Sequence, residues 1–197
     1  MTAGGKQSLR RWDLDNLILE VEGHLNPNEA SLLEKLASEV TNGCIVEIGS
    51  LRGKSTIRLA RGARVSGCEV YAIDPHDPFM DGETLVGIAD RAVFLRNLLD
   101  AGIADIVKPI YLKSHHVAQG WTEPIGLLWI DGDHSYEGCA VDLENWGRKG
   151  KLVLVHDSDT PAFPGVRRAI NEFCDRYSLQ HELRRGSAGL EVIWTGL

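Results

Sequence analysis

Two rhythms of apolar residues alternate along the chain. Short runs with little polar interruption occur at Cys44–Ile48, Glu69–Ile73, Ile106–Leu112, Gly126–Ile130 and Lys151–Val155. Leu127-Leu128-Trp129-Ile130 and Leu152-Val153-Leu154-Val155 are apolar throughout, as strands buried on both faces are. Between these runs lie stripes of helical period. Leu32, Leu33, Leu36, Ala37 and Val40 mark a helix over residues 28–40. Ile88, Ala92, Leu95, Leu98 and Leu99 mark a second, and Val166, Ala169, Ile170, Phe173, Cys174 and Tyr177 a third, entered through Pro164-Gly165. Alternating strands and helices predict an α/β fold: a parallel sheet with helices on both faces. The C-terminal part departs from this. Residues 178–185 and Leu190–Trp194 flank Gly186-Ser187-Ala188-Gly189, which predicts a β-hairpin and hence an antiparallel pair at one edge.

Composition narrows the class. The 197 residues suit a single domain over 1–197, with 1–27 as an N-terminal extension. With 43% hydrophobic and 25% charged residues, the chain can build a core and is not a disordered polymer. The 21 basic and 28 acidic residues give a net charge of −7, a poor grip for phosphate backbones, so no nucleic-acid partner is expected. No apolar run approaches the roughly 20 residues that span a bilayer, so no membrane is expected either. No signal-peptide core follows Met1-Thr2-Ala3-Gly4-Gly5-Lys6-Gln7, which predicts a cytoplasmic chain. Cys44, Cys68, Cys139 and Cys174 then read as reduced thiols, without the CxxC spacing of a zinc knuckle. A homo-oligomer is left open.

The densest chemistry follows the first strand, in Cys44-Ile-Val-Glu-Ile-Gly-Ser-Leu-Arg-Gly-Lys-Ser-Thr56. In a doubly wound sheet a glycine turn here lies where nucleotide-like ligands bind. A P-loop needs four residues between its glycines, and Gly49 and Gly53 enclose only Ser50, Leu51 and Arg52. The nicotinamide fingerprint fails too, because Leu51 stands at its second glycine. A nucleoside cofactor without a pyrophosphate remains, as does a plain tight turn whose glycines serve backbone geometry. Asp74 ends the second strand about 20 residues past the turn, where an acid can hold ribose hydroxyls.

Two acidic clusters follow the later strands: Ile130-Asp131-Gly132-Asp133-His134-Ser135-Tyr136-Glu137 and Val155-His156-Asp157-Ser158-Asp159. Both emerge at the carboxyl edge of the sheet, where converging carboxylates can hold a hard divalent cation. Asp133, Ser135 and Asp159 read more simply as caps. Arg52, Lys54 and Arg58 read as a solvated helix entry, and His115-His116 as a solvated pair. His24, His76 and His181 belong to no constellation. Pro75–Glu83, with Phe79-Met80, reads as a loop placed to act as a lid.

The ordered set Val-Glu-Ile-Gly-Ser-x3-Gly-x-Ser-Thr, Tyr-Ala-Ile-Asp, Trp-Ile-Asp-Gly-Asp-His-Ser-Tyr-Glu and Val-His-Asp resembles the class I S-adenosylmethionine-dependent methyltransferases over roughly residues 28–197. Within them it is most similar to a small, often metal-dependent group that includes macrolide sugar O-methyltransferases and is related to cephalosporin-hydroxylase-like proteins. The resemblance implies a Rossmann-like seven-stranded sheet, mostly parallel, ending in an antiparallel hairpin. It implies methyl transfer from S-adenosylmethionine to a hydroxyl oxygen of a small-molecule acceptor. A metal-dependent hydroxylase-like enzyme on this scaffold and a non-catalytic cofactor-binding accessory protein are the alternatives. By resemblance, Glu47, Gly49, Ser50, Gly53 and Ser55 lie towards the methionine part of the cofactor, Asp74 at the ribose, Ser114 at the adenine, and Asp131 beside the cofactor. Asp131, His156 and Asp157 would hold a divalent cation, magnesium or manganese, and His134 would be the general base. An acid is usual where His156 stands, and imidazole suits transition metals better than magnesium. Ser114 reads equally as a cap of the turn that follows it.

Overall fold

The computed structural model describes residues 21–77, 79–81, 84–184 and 189–196, and each apolar run in them is a strand. In chain order these are β1 (Cys44–Ile48), β2 (Val70–Ile73), the short pair β3 (Phe79–Asp81) and β4 (Thr84–Val86), β5 (Val107–Ile110), β6 (Ile125–Ile130), β7 (Gly150–Val155), β8 (Gln180–Arg184) and β9 (Leu190–Trp194). The main sheet has seven strands in the order β5-β2-β1-β6-β7-β9-β8. β5, β2, β1, β6 and β7 run parallel, and β9 and β8 close the edge antiparallel. This is the expected Rossmann-like fold with its C-terminal hairpin, whose turn at 185–188 lies outside the described residues. So does the N-terminal extension up to residue 20. The stretch expected to be a lid, Pro75–Glu83, contains β3, which pairs antiparallel with β4 just beyond it.

Helices α1 (Pro27–Ser38), α2 (Lys54–Ser66), α3 (Ile88–Asp100), α4 (Ser114–Ala118), α5 (Tyr136–Trp146) and α6 (Pro164–Tyr177) connect the strands. None is long and apolar enough to cross a membrane. Alternate strand residues supply two cores, as the period of two requires. Ile45, Ala72, Leu127, Trp129 and Leu154 pack with Leu33, Ile57 and Phe94 of α1, α2 and α3. Val46, Ile48, Leu128, Ile130, Val153 and Val155 pack with Ala118, Leu143, Trp146 and Ile170 of α4, α5 and α6. The expected stripe of α6 is buried from Val166 to Cys174.

The stripe expected for α3 is corrected. Leu99 is 67% exposed and Leu95 42%, whereas Phe94 is fully buried with Leu98. The spacing allowed either face. The inward one is chosen because Phe94 fills the space beneath Gly53, whose added Cβ would stand 3.1 Å from its ring.

The register places the site. Ile48 pairs with Ile73 on one side and Ile130 on the other, and Ile130 with Val155. The following residues, Gly49, Asp74, Asp131 and His156, therefore stand level along the carboxyl edge. Their amides continue the ladder, Gly49 to Ile73 (3.0 Å), Asp131 to Ile48 (2.8 Å) and His156 to Ile130 (3.0 Å). β1 lies between β2 and β6, so the crevice beyond it is the point where the strand order reverses.

Candidate active site

The glycine loop is fixed by backbone geometry first. Gly49 has φ 86°, and a Cβ there would stand 2.1 Å from the Asp131 carbonyl oxygen, so only glycine fits. Gly53 turns the chain into α2 with φ 89°. Leu51 between them is held at φ 42°, uncommon for a residue with a Cβ, and something must hold it there. Asp74 does so. Its Oδ2 accepts from the amides of Ser50 (3.0 Å) and Leu51 (2.8 Å), and its Oδ1 from that of His76 (2.8 Å). The His76 ring, buried between Phe94 and Tyr111, donates from Nε2 to the Leu51 carbonyl at 2.8 Å. His76 thus belongs to a constellation after all.

Glu47 is fully buried beneath the start of α2 and accepts hydrogen bonds from the hydroxyls of Ser55 and Thr56. Burial pushes its carboxyl up to about 8, against those two bonds. Glu47 and Ser55 therefore secure the loop from behind. The buried hydroxyl of Ser50 has no protein partner among the described residues.

The entry of α2 is not the solvated face the sequence suggested. Arg52 binds Asp90, Lys54 binds the Gly23 carbonyl and Arg58 binds Glu34. These long cations face carboxylates and a carbonyl that the folded chain brings from distant positions.

Next to the loop, the two acidic clusters merge. His134 Nε2 lies 2.8 Å from Asp157 Oδ2 and 3.2 Å from Asp131 Oδ1. His156 Nδ1 lies 3.1 Å from Asp131 Oδ1 and 3.5 Å from Asp157 Oδ2. One ligand atom each from Asp131, His156 and Asp157 falls within 4.8 Å of the others, close enough for one ion. Asp157 has φ 55°, a left-handed turn that swings its carboxylate back towards Asp131. Burial would lower both imidazoles, but the hydrogen bonds they donate to Asp131 and Asp157 outweigh it. His134 rises to about 9, and His156, which also has Glu29, to about 12. Desolvation opposes ionisation of the aspartates, yet the two imidazoles hold both below the ordinary range.

Sequence reasoning missed Glu29. It is buried on α1, with Oε2 3.3 Å from His156 Nε2, and its Oε1 has no partner among the described residues. Its signal was a capping box: Asn26 caps α1 and Glu29, three residues on, accepts from the Asn26 amide. Phe163 was missed as well. It precedes α6, is 38% exposed, and stacks on the His134 ring at 4.6 Å between centroids. His181 also has a partner, the buried Glu191, at 2.7 Å, remote in sequence from the rest of the site. Asp133 and Ser135 act as expected for caps: Asp133 accepts from the Ser135 amide, and the Ser135 hydroxyl accepts from the Gly138 amide. Ser114 caps nothing. It opens α4, and its hydroxyl donates to Asp142 of α5.

A methyltransferase domain family matches residues 46–158. Among solved structures, the chain is similar to the cofactor-bound protein Rv0187 from MTB, with 20% identity and TM-score 0.72, covering 92% of this chain and 85% of that one. An O-methyltransferase from Bacillus cereus, solved with SAH, shares 18% identity at TM-score 0.70, covering 96% and 93%. TomG, an O-methyltransferase of tomaymycin synthesis from Streptomyces achromogenes solved with SAM, shares 16% at TM-score 0.61, covering 87% and 81%. The family match runs from β1 through the glycine loop and Asp74 to the acidic cluster after β7, more than half of the sequence, and the chain belongs to the methyltransferase domain family.

Proposed function

We propose that the chain transfers a methyl group from S-adenosylmethionine to a hydroxyl oxygen of a small molecule. One observation carries this reading: the glycine loop rests directly on the backbone of Asp131, the first residue of the acidic cluster. A methyl donor seated in the loop therefore lies beside the groups that would hold and deprotonate an acceptor. The cofactor-bound O-methyltransferases of the same fold support the donor and the oxygen acceptor. The hydroxylase-like and accessory alternatives draw no such support.

The residues fit the cofactor. The unpartnered Ser50 hydroxyl and the loop backbone suit its methionine end. Asp74 holds the loop through the amides of Ser50 and Leu51 and also accepts from the His76 amide, and its remaining lone pairs can take ribose hydroxyls. Ser114 opens α4 just past β5, the neighbour of β2, and would serve the adenine. Transfer is an in-line displacement at the sulfonium methyl, so the protein contributes positioning and removal of the acceptor proton. His134, stacked on the partly exposed Phe163 beside Asp131, would remove it.

The donor set also fits a divalent cation. With Nε2–H directed at Glu29, the His156 ring can turn an Nδ1 lone pair towards Asp131 and Asp157, a carboxylate–histidine–metal arrangement. Such an ion would act as a Lewis acid on the acceptor hydroxyl. Nitrogen in the set favours manganese over magnesium. Its positive charge would also draw on the carboxylates that hold the proton on His134. The four cysteines are free thiols, in keeping with a cytoplasmic enzyme.

Calorimetry with S-adenosylmethionine and S-adenosylhomocysteine, followed by transfer of labelled methyl to a panel of hydroxylated sugars and phenols, tests the reading. Binding of both and label on oxygen are expected. Absence of binding, or label only on nitrogen or carbon, overturns it.

A further inference from the structure

Ser114 is held unusually firmly for the first residue of a five-residue helix. Its carbonyl accepts from Trp146 Nε1 at 3.2 Å, and its hydroxyl donates to Oδ1 of Asp142. Both partners come from α5, so α5 sets the orientation of Ser114 at the crevice. Asp142 is 5% exposed, and Ser114 is its only hydrogen-bond partner among the described residues. Its other oxygen, Oδ2, faces Gly132, the residue after Asp131: a Cβ on Gly132 would stand 3.2 Å from it. The pair therefore joins the segment after β5 to the residue after Asp131, past the end of β6, and β2 and β1 lie between those two strands in the sheet.

The polarity of this pair follows from its chemistry. A carboxylate can only accept, so the Ser114 hydrogen is committed to Asp142. The Ser114 oxygen then offers lone pairs and no proton, and Asp142 Oδ2 offers the same. Burial raises Asp142 to about 6, partly offset by the Ser114 bond, and leaves it ionised at pH 7.5. A ligand edge facing the pair has to donate. The exocyclic amine of adenine donates, whereas the corresponding oxygen of hypoxanthine only accepts.

We propose that Asp142 fixes Ser114 as a hydrogen-bond acceptor and so makes this site select the amino edge of adenine over the oxo edge of hypoxanthine. The inference rests on the cofactor reading above and assigns a specificity role to a residue that the reading did not include. Asp142 acts through Ser114 and is a positioning residue.

The test compares S-adenosylhomocysteine with S-inosylhomocysteine by calorimetry at pH 7.5, on the whole chain and on the variants Asp142→Asn and Ser114→Ala, with melting temperature as the check of folding. The unaltered chain should prefer the adenosyl compound by roughly 10–100-fold, the range for leaving a buried acceptor without its donor. In Asp142→Asn either orientation of the amide adds a donor, to Ser114 or to the ligand. The preference should fall to within about threefold, mainly because the inosyl compound binds better. Ser114→Ala should also lose most of the preference, and it decides the matter if Asp142→Asn does not fold. A folded variant that keeps the full preference overturns the inference. An unaltered chain that binds the adenosyl compound without preference overturns it as well. Binding of neither compound by the unaltered chain overturns the cofactor reading itself, and this inference with it.

Discussion

His134 carries the sharpest consequence at the scale of a residue. A free imidazole titrates near 6.5 and could accept a proton at neutral pH. Here Asp131 and Asp157 both face Nε2 and, against burial, hold the ring protonated to about 9. A base must be neutral to accept, so turnover should rise with pH along a limb above 6.5, reaching towards about 9. Less positive charge is tolerated as the cluster loses acids, so Asp157→Asn should move that limb down. His134→Gln should keep the fold, remove the limb and lower turnover by roughly 10²–10⁴. Rate profiles of the three proteins check this. A limb at 6.5 in the unaltered chain, or an unchanged rate in His134→Gln, would mean that His134 does not take the proton. Asp74 has the opposite character. With three amides on its carboxylate, it shapes the loop as much as it can serve a ligand. Its replacement by alanine should weaken cofactor binding by at least the ~1.5–3 kcal/mol of one charged hydrogen bond, measured by calorimetry, and unchanged affinity would remove it from the site.

At the scale of the element, α3 shows what a sequence decides and what packing decides. Its period was legible, but its inward face was not, because leucines stand on both sides and Phe94 alone fits beneath Gly53. Phe94→Ala should therefore cost about 3–5 kcal/mol, while Leu99→Ala should stay within about 0.5 kcal/mol. Denaturant unfolding measures both, and equal costs would reverse the assigned face. The strands were easier to read. β1, β2, β6 and β7 each end in an apolar run followed at once by Gly49, Asp74, Asp131 or His156, so the polar break marks both the strand end and the site. Asp131 and His134 were readable together because three residues separate them. Glu29 and His156 lie 127 residues apart, and no local pattern could pair them. The same holds for His76, whose contacts with Leu51, Phe94 and Tyr111 exist only once the sheet has formed. Of the two readings left open for Ser114, the cap came from the preference of serine at a helix start, and the structure does not show that cap. Asp142, from another helix, accepts its hydrogen bond instead.

At the scale of the whole molecule, the level carboxyl edge separates two places for ligands. On one side of β1 are the glycine loop, Asp74 and Ser114, and on the other are Asp131, Asp157 and His156 with Glu29 brought in by α1. A ligand that binds only the folded chain stabilises it by about 2.7 kcal/mol at one hundred times its dissociation constant. Both S-adenosylhomocysteine and manganese should therefore raise the melting temperature, each without the other. The two effects should also be separable by substitution. Asp157→Ala removes a carboxylate of the cation set that the described contacts do not connect to the loop, so it should abolish the manganese shift and keep that of S-adenosylhomocysteine. Asp74→Ala should do the reverse, because two of its amide bonds lie in the loop, the third is to His76, and none reaches the acidic cluster. Thermal unfolding of three proteins under four conditions decides the matter: no ligand, each ligand alone, and both together. If Asp157→Ala erased both shifts, the two places would be one, and the cluster would belong to the cofactor. If manganese shifted none of the proteins, the carboxylates would be satisfied by His134 and His156 alone, and proton removal would fall to the side chains of the chain itself.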